Sequence, residues 1–216
     1  MSKQPRIPRG EARRRILDAS FNVIRSKGYG ATTVDDLCKA AGVTKGAFFH
    51  HFASKEDLGI AAAQHWAEVT GGMFAAAPHR ALENPLARVL GYLDLRRNIL
   101  DGRISEISCV AGTMLQEVHE SHPAIRIACE HTIALHTEPI TADLAAAKAM
   151  HAPDAAWSPE SLAWHTQAVL QGAFILAKAK NDQAIAEQSV DHLIAYVSSL
   201  FPADAVAAAR QQQTEH

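Results

Sequence analysis

Hydroxyl and basic side chains recur at three predicted helix starts between residues 33 and 55. Thr33 and Ser54 are each followed three residues later by an aspartate, a capping-box pattern, and Thr44 stands where a cap is expected for the helix between them. A helix N-terminus presents free backbone N–H groups and a positive dipole end, and both favour anions. Because Lys45 and Lys55 lie beside these caps, the segment is predicted to contact phosphate groups.

The charges of the chain are divided unevenly along its length. Residues 1–58 contain 11 Lys and Arg against 6 Asp and Glu, whereas residues 59–216 contain 10 against 17. The net charge of −2 therefore combines a first part of +5 with a second part of −7. A small basic part joined to a larger acidic part is typical of a protein that meets a polyanion with one region. Chance clustering of solvated charges is the alternative at this point.

Four helices are predicted to position these residues after a disordered arm that ends near Arg9. They cover residues 10–27, 33–41, 44–51 and 54–74. Gly28 and Gly30 end the first helix and Gly42 ends the second, because glycine adopts a left-handed terminus at little cost. Two short helices joined by a tight glycine-containing turn form a helix-turn-helix, whose second helix can enter a major groove. The alanine-rich composition, with few β-branched and aromatic residues, predicts an all-α chain.

The stretch TTVDDLCKAAGVTKGAFFHHFASKEDL, residues 32–58, resembles the DNA-binding signature of the TetR/AcrR family of one-component regulators. The resemblance covers about residues 10–58. It implies a homodimer that binds a pseudo-palindromic double-stranded DNA operator, represses transcription, and lets go when a small molecule enters the larger domain. It places Thr33 and Lys55 at phosphate-contacting positions. It also places six residues on the recognition helix: Thr44, Lys45, Gly46, Ala47, Phe49 and His50.

One departure from the family pattern falls on Phe49, because the family usually has tyrosine at this position. The missing hydroxyl is expected to weaken or redirect one phosphate contact without removing DNA binding. The packing positions of the family pattern are matched by apolar residues: Val34, Leu37, Ala41, Val43, Phe48 and Phe52.

The predicted DNA-binding domain, residues 1–58, is followed by a larger helical domain for ligand binding and dimerisation, residues 59–216. Its predicted helices after residue 74 cover residues 85–100, 104–119, 123–150, 159–180 and 183–201. The tail after Pro202 is expected to fray. Pro139 lies inside the helix of residues 123–150, where its missing N–H either bends the helix or divides it in two. A bend at this point either opens a cavity or only follows the core.

The last two predicted helices carry apolar stripes typical of a dimer interface. The stripes are Leu162, Val169, Leu170, Ala173, Phe174 and Leu176 in one helix and Val190, Leu193, Ile194, Val197 and Leu200 in the other. Two such helices from each subunit would form a four-helix bundle with two-fold symmetry. The alternative is that both stripes are buried within one subunit.

An apolar pocket with a few polar groups is expected in the larger domain. Its candidate ligand-binding residues are Trp66, Met73, Phe74, Tyr92, Arg96, Cys109, Thr113, Met114, His131, Trp164 and Gln167. No metal site is predicted from the 12 histidines, because Cys and carboxylate ligands do not cluster with them. No cofactor is predicted either, since the sequence contains no Gly-rich phosphate loop, no nucleophile elbow and no HExxH motif.

Cys109 suggests an alternative input, because it lies near the predicted start of a helix. A helix N-terminus stabilises a thiolate and makes it more reactive, although the nearby Glu106 acts in the opposite direction. The alternative function is therefore a repressor that senses electrophiles or oxidants through Cys109. The alternative for the residue itself is a buried Cys that acts as a small hydrophobe.

Two other classes of protein are distant alternatives. A helical enzyme would need acids, bases or nucleophiles at a diagnostic spacing, and a helical adaptor would not explain the three caps with Lys45 and Lys55. No apolar run approaches the roughly 18 residues that span a bilayer, so no membrane contact is predicted. Three widely spaced cysteines and the lack of a signal sequence predict a cytoplasmic location.

Overall fold

The computed structural model describes residues 9–215 as a chain of α-helices, and the predicted N-terminal arm, residues 1–8, lies outside the described residues. The helices, α1 to α11 in chain order, are Arg9–Lys27, Val34–Ala41, Lys45–His51, Lys55–Ala75, Pro85–Asn98, Ile104–Ile107, Val110–Val118, Pro123–His151, Pro159–Lys180, Ala184–Ser199 and Ala203–Thr214. A short 3-10 helix, Pro78–Ala81, precedes α5. The all-α prediction is confirmed.

The described residues divide into two compact units. The head unit comprises the residues up to Trp66 together with Cys109–Thr132, and the body unit comprises Ala67–Ser108 and the residues from Ile133 onward. Helices α4 and α8 each contribute residues to both units. The functional boundary predicted between residues 58 and 59 stays a prediction, and it falls inside the head unit.

The core of the head unit is built on the apolar face of α1. Ile16 and Ile24 of α1 are fully buried, as are Leu37 of α2 and Phe48 of α3. Gly42 ends α2 in the left-handed conformation, φ 66°, and its N–H bonds to carbonyl groups of the last turn. This tight turn leads directly into α3, so the predicted helix-turn-helix is present.

The body unit has its own apolar core. Its members come from helices α4, α5, α8, α9, α10 and α11: Phe74, Leu86, Leu90, Leu93, Ile140, Leu144, Leu162, Leu193, Val197 and Ala209 are among them. Much of the predicted dimer stripe is in this core or beside it. Leu193 and Val197 are buried within the subunit, and Val169, Ile194 and Leu200 pack against the same cluster. The alternative of burial within one subunit therefore holds for most of the stripe.

The predicted helix of residues 104–119 is two helices, so this prediction was wrong. The backbone becomes extended at Ser108, φ −81° and ψ 157°, and α7 starts after Cys109. The thiol of Cys109 accepts the Gly112 N–H at 3.4 Å, which caps the new helix. A residue that caps the start of a helix has non-helical backbone angles. The non-helical backbone at Ser108 and Cys109 therefore separates α6 from α7.

The chain after Pro202 does not fray but forms α11, so that prediction was also wrong. Ala209 is fully buried, Arg210 pairs with Asp94 of α5, and the Gln213 amide donates to the Ala87 carbonyl at 3.0 Å. These contacts with α5 offset the entropic cost of ordering a chain end. The helices predicted to form the dimer are therefore α9 and α10, which are not the last two.

Helix α8 continues through Pro139 as a single helix of 29 residues, so its division into two helices is excluded. Proline has no N–H to donate to the carbonyl of Leu135, four residues earlier. Within the described part of the chain, no helix combines the length and the apolarity that crossing a membrane requires.

Candidate nucleic-acid interface and ligand cavity

The start of α2 is fixed by a complete capping box. The Thr33 hydroxyl accepts the Asp36 N–H at 3.1 Å, and the Asp36 carboxylate accepts the Thr33 N–H at 2.9 Å. Lys27 also donates to that carboxylate, at 2.7 Å. The Lys27 ammonium and the Thr33 hydrogen bonds hold the pKa of Asp36 well below its usual range. Thr33 is exposed at this helix end, where its backbone geometry favours contact with an anion.

Helix α3 has one buried side and one open side. Phe48 is fully buried, whereas the adjacent Phe49 is 56% exposed. The Thr44 hydroxyl caps the helix by accepting the Ala47 N–H at 3.1 Å. The predicted recognition-helix residues on the open side are Thr44, Lys45, Gly46, Phe49 and His50, and Ala47 is half-buried. A Cβ added at Gly46 would meet no atom closer than the Thr44 hydroxyl oxygen, at 3.8 Å, so the backbone there is open to close approach.

Lys45 is a cation that can exchange its partner. Its ammonium lies 2.9 Å from the carboxylate of Asp35, and the two side chains are 60% and 69% exposed. The hydrogen bond to Asp35 and its negative charge raise the pKa of Lys45, so the side chain is charged. Exposed ion pairs contribute little free energy, and a phosphate can replace Asp35 at small cost.

Lys55 does not have the open ammonium that its predicted phosphate contact requires. Its Nζ donates to the carbonyl groups of Tyr29 at 3.0 Å, Gly30 at 3.2 Å and Thr32 at 3.0 Å. An ammonium has three N–H donors, so these bonds occupy all of them. Nζ also lies over the Tyr29 ring, 4.5 Å from its centroid. In this structure Lys55 holds the loop between α1 and α2.

Glu117 of α7 holds the same loop from another helix. Its carboxylate accepts the Gly30 N–H at 2.6 Å. Gly28 has φ 84°, and a Cβ added there would collide with the Glu117 carboxylate. This role of Glu117 is not predicted from the sequence. Gly28 and Gly30 are assigned there only to the end of α1. The two closely spaced glycines are the feature of the sequence that could have indicated a close contact at this loop.

A cavity of about 210 Å³ lies within the body unit. Its walls are contributed by α4, the 3-10 helix, α5 and α8: Gly71, Phe74, Ala75, Arg80, Tyr92, Leu135, His136 and Pro139. Because Leu135, His136 and Pro139 all line it, the cavity lies where the proline interrupts the hydrogen bonding of α8. Of the two alternatives for Pro139, the position of the cavity favours the one in which the proline helps to open a cavity.

Two of the predicted ligand-binding residues line this cavity, and two more contact those lining residues. Phe74 and Tyr92 line it, and the Tyr92 hydroxyl accepts the Arg96 Nε–H at 2.9 Å and the Gln167 amide at 3.3 Å. The Arg96 guanidinium lies over the Phe74 ring, 4.1 Å from its centroid. Arg96 of α5 and Gln167 of α9 therefore contact the two aromatic residues of the cavity wall without lining the cavity themselves.

Like Arg96 and Gln167, the other seven predicted ligand-binding residues do not line this cavity. Met73 and Trp164 are exposed residues of the body unit. The head unit contains the remaining five: Trp66, Cys109, Thr113, Met114 and His131. Met114 is fully buried in its core, and Trp66 packs edge-on against Phe21, so apolar packing explains both better than a ligand does. His131 is exposed.

His136 is a cavity residue that was not predicted. Its Nε2 lies 2.8 Å from the Thr70 hydroxyl oxygen. Burial, followed by the positive charge of Arg96, lowers the pKa of His136 to about 4, so the ring is neutral at pH 7. Within residues 9–215, no group of three or more His, Cys, Asp or Glu side chains could hold a metal ion.

Cys109 is a half-buried thiol at the N-cap of α7. The buried Cys129 of α8 belongs to the same unit, and burial together with the charge of Cys109 raises the pKa of the Cys129 thiol to about 12. The two thiols thus have different environments, one at a helix N-terminus and one in the core.

Comparison with known proteins agrees with this architecture. Residues 16–62 match the family described as bacterial regulatory proteins, tetR family, and residues 85–191 match the C-terminal domain described as transcriptional regulator LmrA/YxaF-like. The two matches together cover well over half of the chain. The chain belongs to the TetR family. This family consists of transcriptional regulators rather than enzymes.

The TetR-family relatives are similar in fold and distant in sequence. The HTH-type transcriptional repressor DhaR from Mycobacterium sp. (strain GP1) is 26% identical over 120 residues, which are 56% of this chain and 59% of DhaR. A TetR transcriptional regulator from Chloroflexus aurantiacus has a TM-score of 0.76 at 24% identity, over 88% of this chain and 96% of that one. The reduced form of E. coli NemR has a TM-score of 0.72 at 21% identity, over 84% and 94%.

Curated relatives are matched over less than two-thirds of their own length, for example 27% for AcrR of Shigella flexneri and 59% for DhaR. The structural neighbours, which are below 25% identity, establish the fold that this TetR-family chain shares with them.

Proposed function

We propose that this TetR-family protein is a transcriptional repressor that binds a pseudo-palindromic DNA operator as a homodimer. The observation that carries the proposal is α3, whose Phe48 is buried while Thr44, Lys45, Gly46, Phe49 and His50 stay open. A helix with this division can insert its first residues into a major groove while its apolar side keeps it attached to the protein. Repression is supported by the description of DhaR as a repressor. Such a protein acts in the cytoplasm, where it meets chromosomal DNA.

Contacts to phosphate and contacts to bases come from different residues in this proposal. Thr33 at the start of α2 and Lys45 at the start of α3 contact the backbone and set the register. Phe49 and His50 meet base edges, and an exposed phenylalanine suits the methyl group of thymine. Gly46 lets the helix backbone approach closely. Lys55 contributes indirectly, by holding the loop that carries Thr33.

The homodimer forms through faces of α9 and α10 that remain exposed in the single subunit. Large apolar side chains are open on both helices: Trp164, Ile175, Leu176 and Tyr196. Trp164, Ala168, Gly172, Ile175 and Ala179 follow one another at helical spacing along α9, and a Cβ added at Gly172 would meet no atom within 4 Å. Small residues between large ones let two helices approach closely. This face shares Leu176 with the stripe predicted from the sequence, most of whose other members are buried within the subunit.

A small organic effector in the cavity of the body unit is the input that we infer. The cavity has an aromatic wall and few polar groups, which is the usual composition of a site for a small molecule. An effector that binds better when the two α3 helices of the dimer are wrongly spaced for the operator half-sites would shift the protein to that arrangement. The DNA would then be released.

Selection of duplexes from a random pool, using the purified full chain without effector, tests the DNA-binding function. A two-fold symmetric site with half-sites one helical turn or a multiple apart is the expected result. Failure to enrich any sequence at low salt, with the protein folded and dimeric, contradicts the proposal.

A second candidate input is thiol chemistry at Cys109, which is favoured by its position at the N-cap of α7. There the Gly112 N–H points at the sulfur and stabilises negative charge on it. Cys109→Ser is expected to bind the operator normally but to ignore N-ethylmaleimide, whereas Cys129→Ser keeps the response of the unmodified protein. Release of the Cys109→Ser protein by the reagent would rule this input out.

A further inference from the structure

Arg96 differs from every other arginine of the body unit, because it has no carboxylate partner among the described residues. Each of the others pairs with an acid: Arg80 and Arg88 with Asp143, Arg97 with Glu187 and Asp191, Arg103 with Glu106, and Arg210 with Asp94. Arg96 instead donates its Nε–H to the Tyr92 hydroxyl and lies over the Phe74 and Tyr92 rings.

These contacts satisfy the charge of Arg96 only in part. The ring faces attract the cation but accept none of its in-plane N–H groups. One of the five N–H donors is bonded to Tyr92, and the four on the terminal nitrogens have no acceptor in the described part of the chain. Arginine presents such donors in a planar fork that fits a carboxylate with two parallel hydrogen bonds.

The cavity beside Arg96 limits the charge and shape of its ligand. Phe74 and Tyr92 belong both to the cavity wall and to the surface that holds Arg96. Arg80 also lines the cavity, and it shares the Asp143 carboxylate with Arg88, so one negative charge there faces two guanidinium groups. His136 is neutral, as its lowered pKa requires. The site therefore offers an excess of positive charge and a guanidinium with unbonded N–H donors next to a mostly apolar space, which suits an organic anion.

We propose that the cavity of the body unit binds a small organic carboxylate. Its apolar part lies against Phe74, Leu135 and Pro139, and its carboxylate reaches the Arg96 guanidinium, which lies over the ring of the wall residue Phe74. This proposal names the class of the effector and so rests on the proposed function. It makes Arg96 the residue that selects an acid over a neutral compound of the same shape. The Tyr92 hydroxyl, with Gln167 bonded to it, positions the guanidinium.

Isothermal titration of the full-length protein with three matched pairs tests the proposal. The pairs are benzoate and benzamide, cinnamate and cinnamamide, and isobutyrate and isobutyramide. At least one acid is expected to bind, and to bind about tenfold or more tightly than its amide, because a charge-assisted bidentate contact is replaced by a neutral one. Equal affinity within every pair, or no binding of any acid up to millimolar concentration, overturns the proposal.

Two variants of adjacent arginines separate a direct contact from a general effect of charge. Arg96→Gln is expected to lose the preference for the acid, whereas Arg97→Gln keeps it, although both remove one positive charge from the last turn of α5. Circular dichroism establishes that each variant is folded. If Arg96→Gln does not fold, Arg96→Lys keeps the charge without the fork and is expected to reduce the preference several-fold. An undiminished preference in a folded Arg96 variant overturns the proposal.

A parallel measurement keeps this proposal distinct from the proposed repressor function. Release of the selected operator is followed with the same acids and amides. Binding of acid with no release of DNA supports the carboxylate site and contradicts the effector mechanism. Release of DNA by neutral compounds, with no binding of any acid, supports the effector mechanism and contradicts the carboxylate site.

Discussion

The ammonium of Lys55 donates a hydrogen bond to the carbonyl group of Tyr29 at 3.0 Å, while it lies 4.5 Å from the centroid of the same residue's ring. The neighbouring carbonyl groups of Gly30 and Thr32 take its other two protons. One side chain of α4 thus bonds to three carbonyl groups of the turn that precedes α2. Since Thr33 directly follows this turn, we propose that Lys55 acts on DNA through the placement of Thr33.

Two lysine variants are expected to separate support of the loop from phosphate contact. Lys55→Ala should lower the free energy of unfolding by about 2 kcal/mol, because several carbonyl groups lose a charged donor. Lys45→Ala should change it by less than about 0.5 kcal/mol, since its ion pair with Asp35 is exposed. Lys45→Ala should instead reduce the slope of log K against log salt by about one. Urea unfolding and operator titrations over a range of salt measure both. If Lys55→Ala instead has normal stability and a reduced slope of log K against log salt, Lys55 contacts phosphate directly.

Gly46→Ala is expected to weaken operator binding without loss of stability. The added methyl group has open space around it in the free protein, and alanine in a helix is favoured over glycine by up to about 1 kcal/mol. The same methyl would stand between the α3 backbone and the DNA. Gly72→Ala is the matched control, because Gly72 also lies in a helix with no atom within 4 Å of an added Cβ. Equal operator affinity for both variants contradicts close backbone approach at Gly46.

Stability is expected to fall as the pH decreases from about 6.5 to 4, because of His136. In the folded protein burial and Arg96 lower its pKa to about 4 from 6.5, so within this window the unfolded chain binds a proton that the folded chain does not. His136→Gln should reduce the loss by up to about 3 kcal/mol, judged from the size of the shift. His131→Gln, which changes an exposed residue of the same helix, is the control. Chemical unfolding at several pH values measures the slope, and identical slopes for the two variants would refute the assignment.

Leu176→Glu is expected to convert the dimer into monomers. Leu176 is 55% exposed on α9, and a charge buried at an interface without a partner costs several kcal/mol. Met150→Glu, at a residue of α8 that is 62% exposed, introduces the same charge outside the proposed interface. Sedimentation velocity distinguishes the species. A Leu176→Glu dimer as tight as the unmodified protein places the interface elsewhere.

Local signals in the sequence predict a large part of the fold. Helix α9 runs from Pro159 to Lys180 as predicted, because Ser158 caps it, proline occupies its first position and Asn181 ends it in the left-handed conformation. The break before α7 has no such signal, since neither glycine nor proline occurs at Ser108 and Cys109. The structure shows this break because the Cys109 thiol caps the start of α7.

Contacts between distant parts of the chain account for most of what was not predicted. Helix α11 depends on Asp94 and Ala87, which are more than 100 residues away in the sequence. The cavity also depends on distant parts of the chain, because His136 lies beside Phe74 and Tyr92 only after α4, α5 and α8 have packed together. Residue types on one face of a helix can be predicted from periodicity, but the helix that will cover that face cannot.

The bond between Glu117 and Gly30 has a practical consequence for hybrid regulators. Operator specificity is transplanted most simply by exchanging residues 1–58 between relatives. In this protein such a graft would set a foreign turn against Glu117, and a foreign residue in place of Tyr29 against the ring of His122, 5.8 Å away. A graft that also carries residues 109–132 would bring the native partners of that turn with it, and so should fold where the shorter one does not.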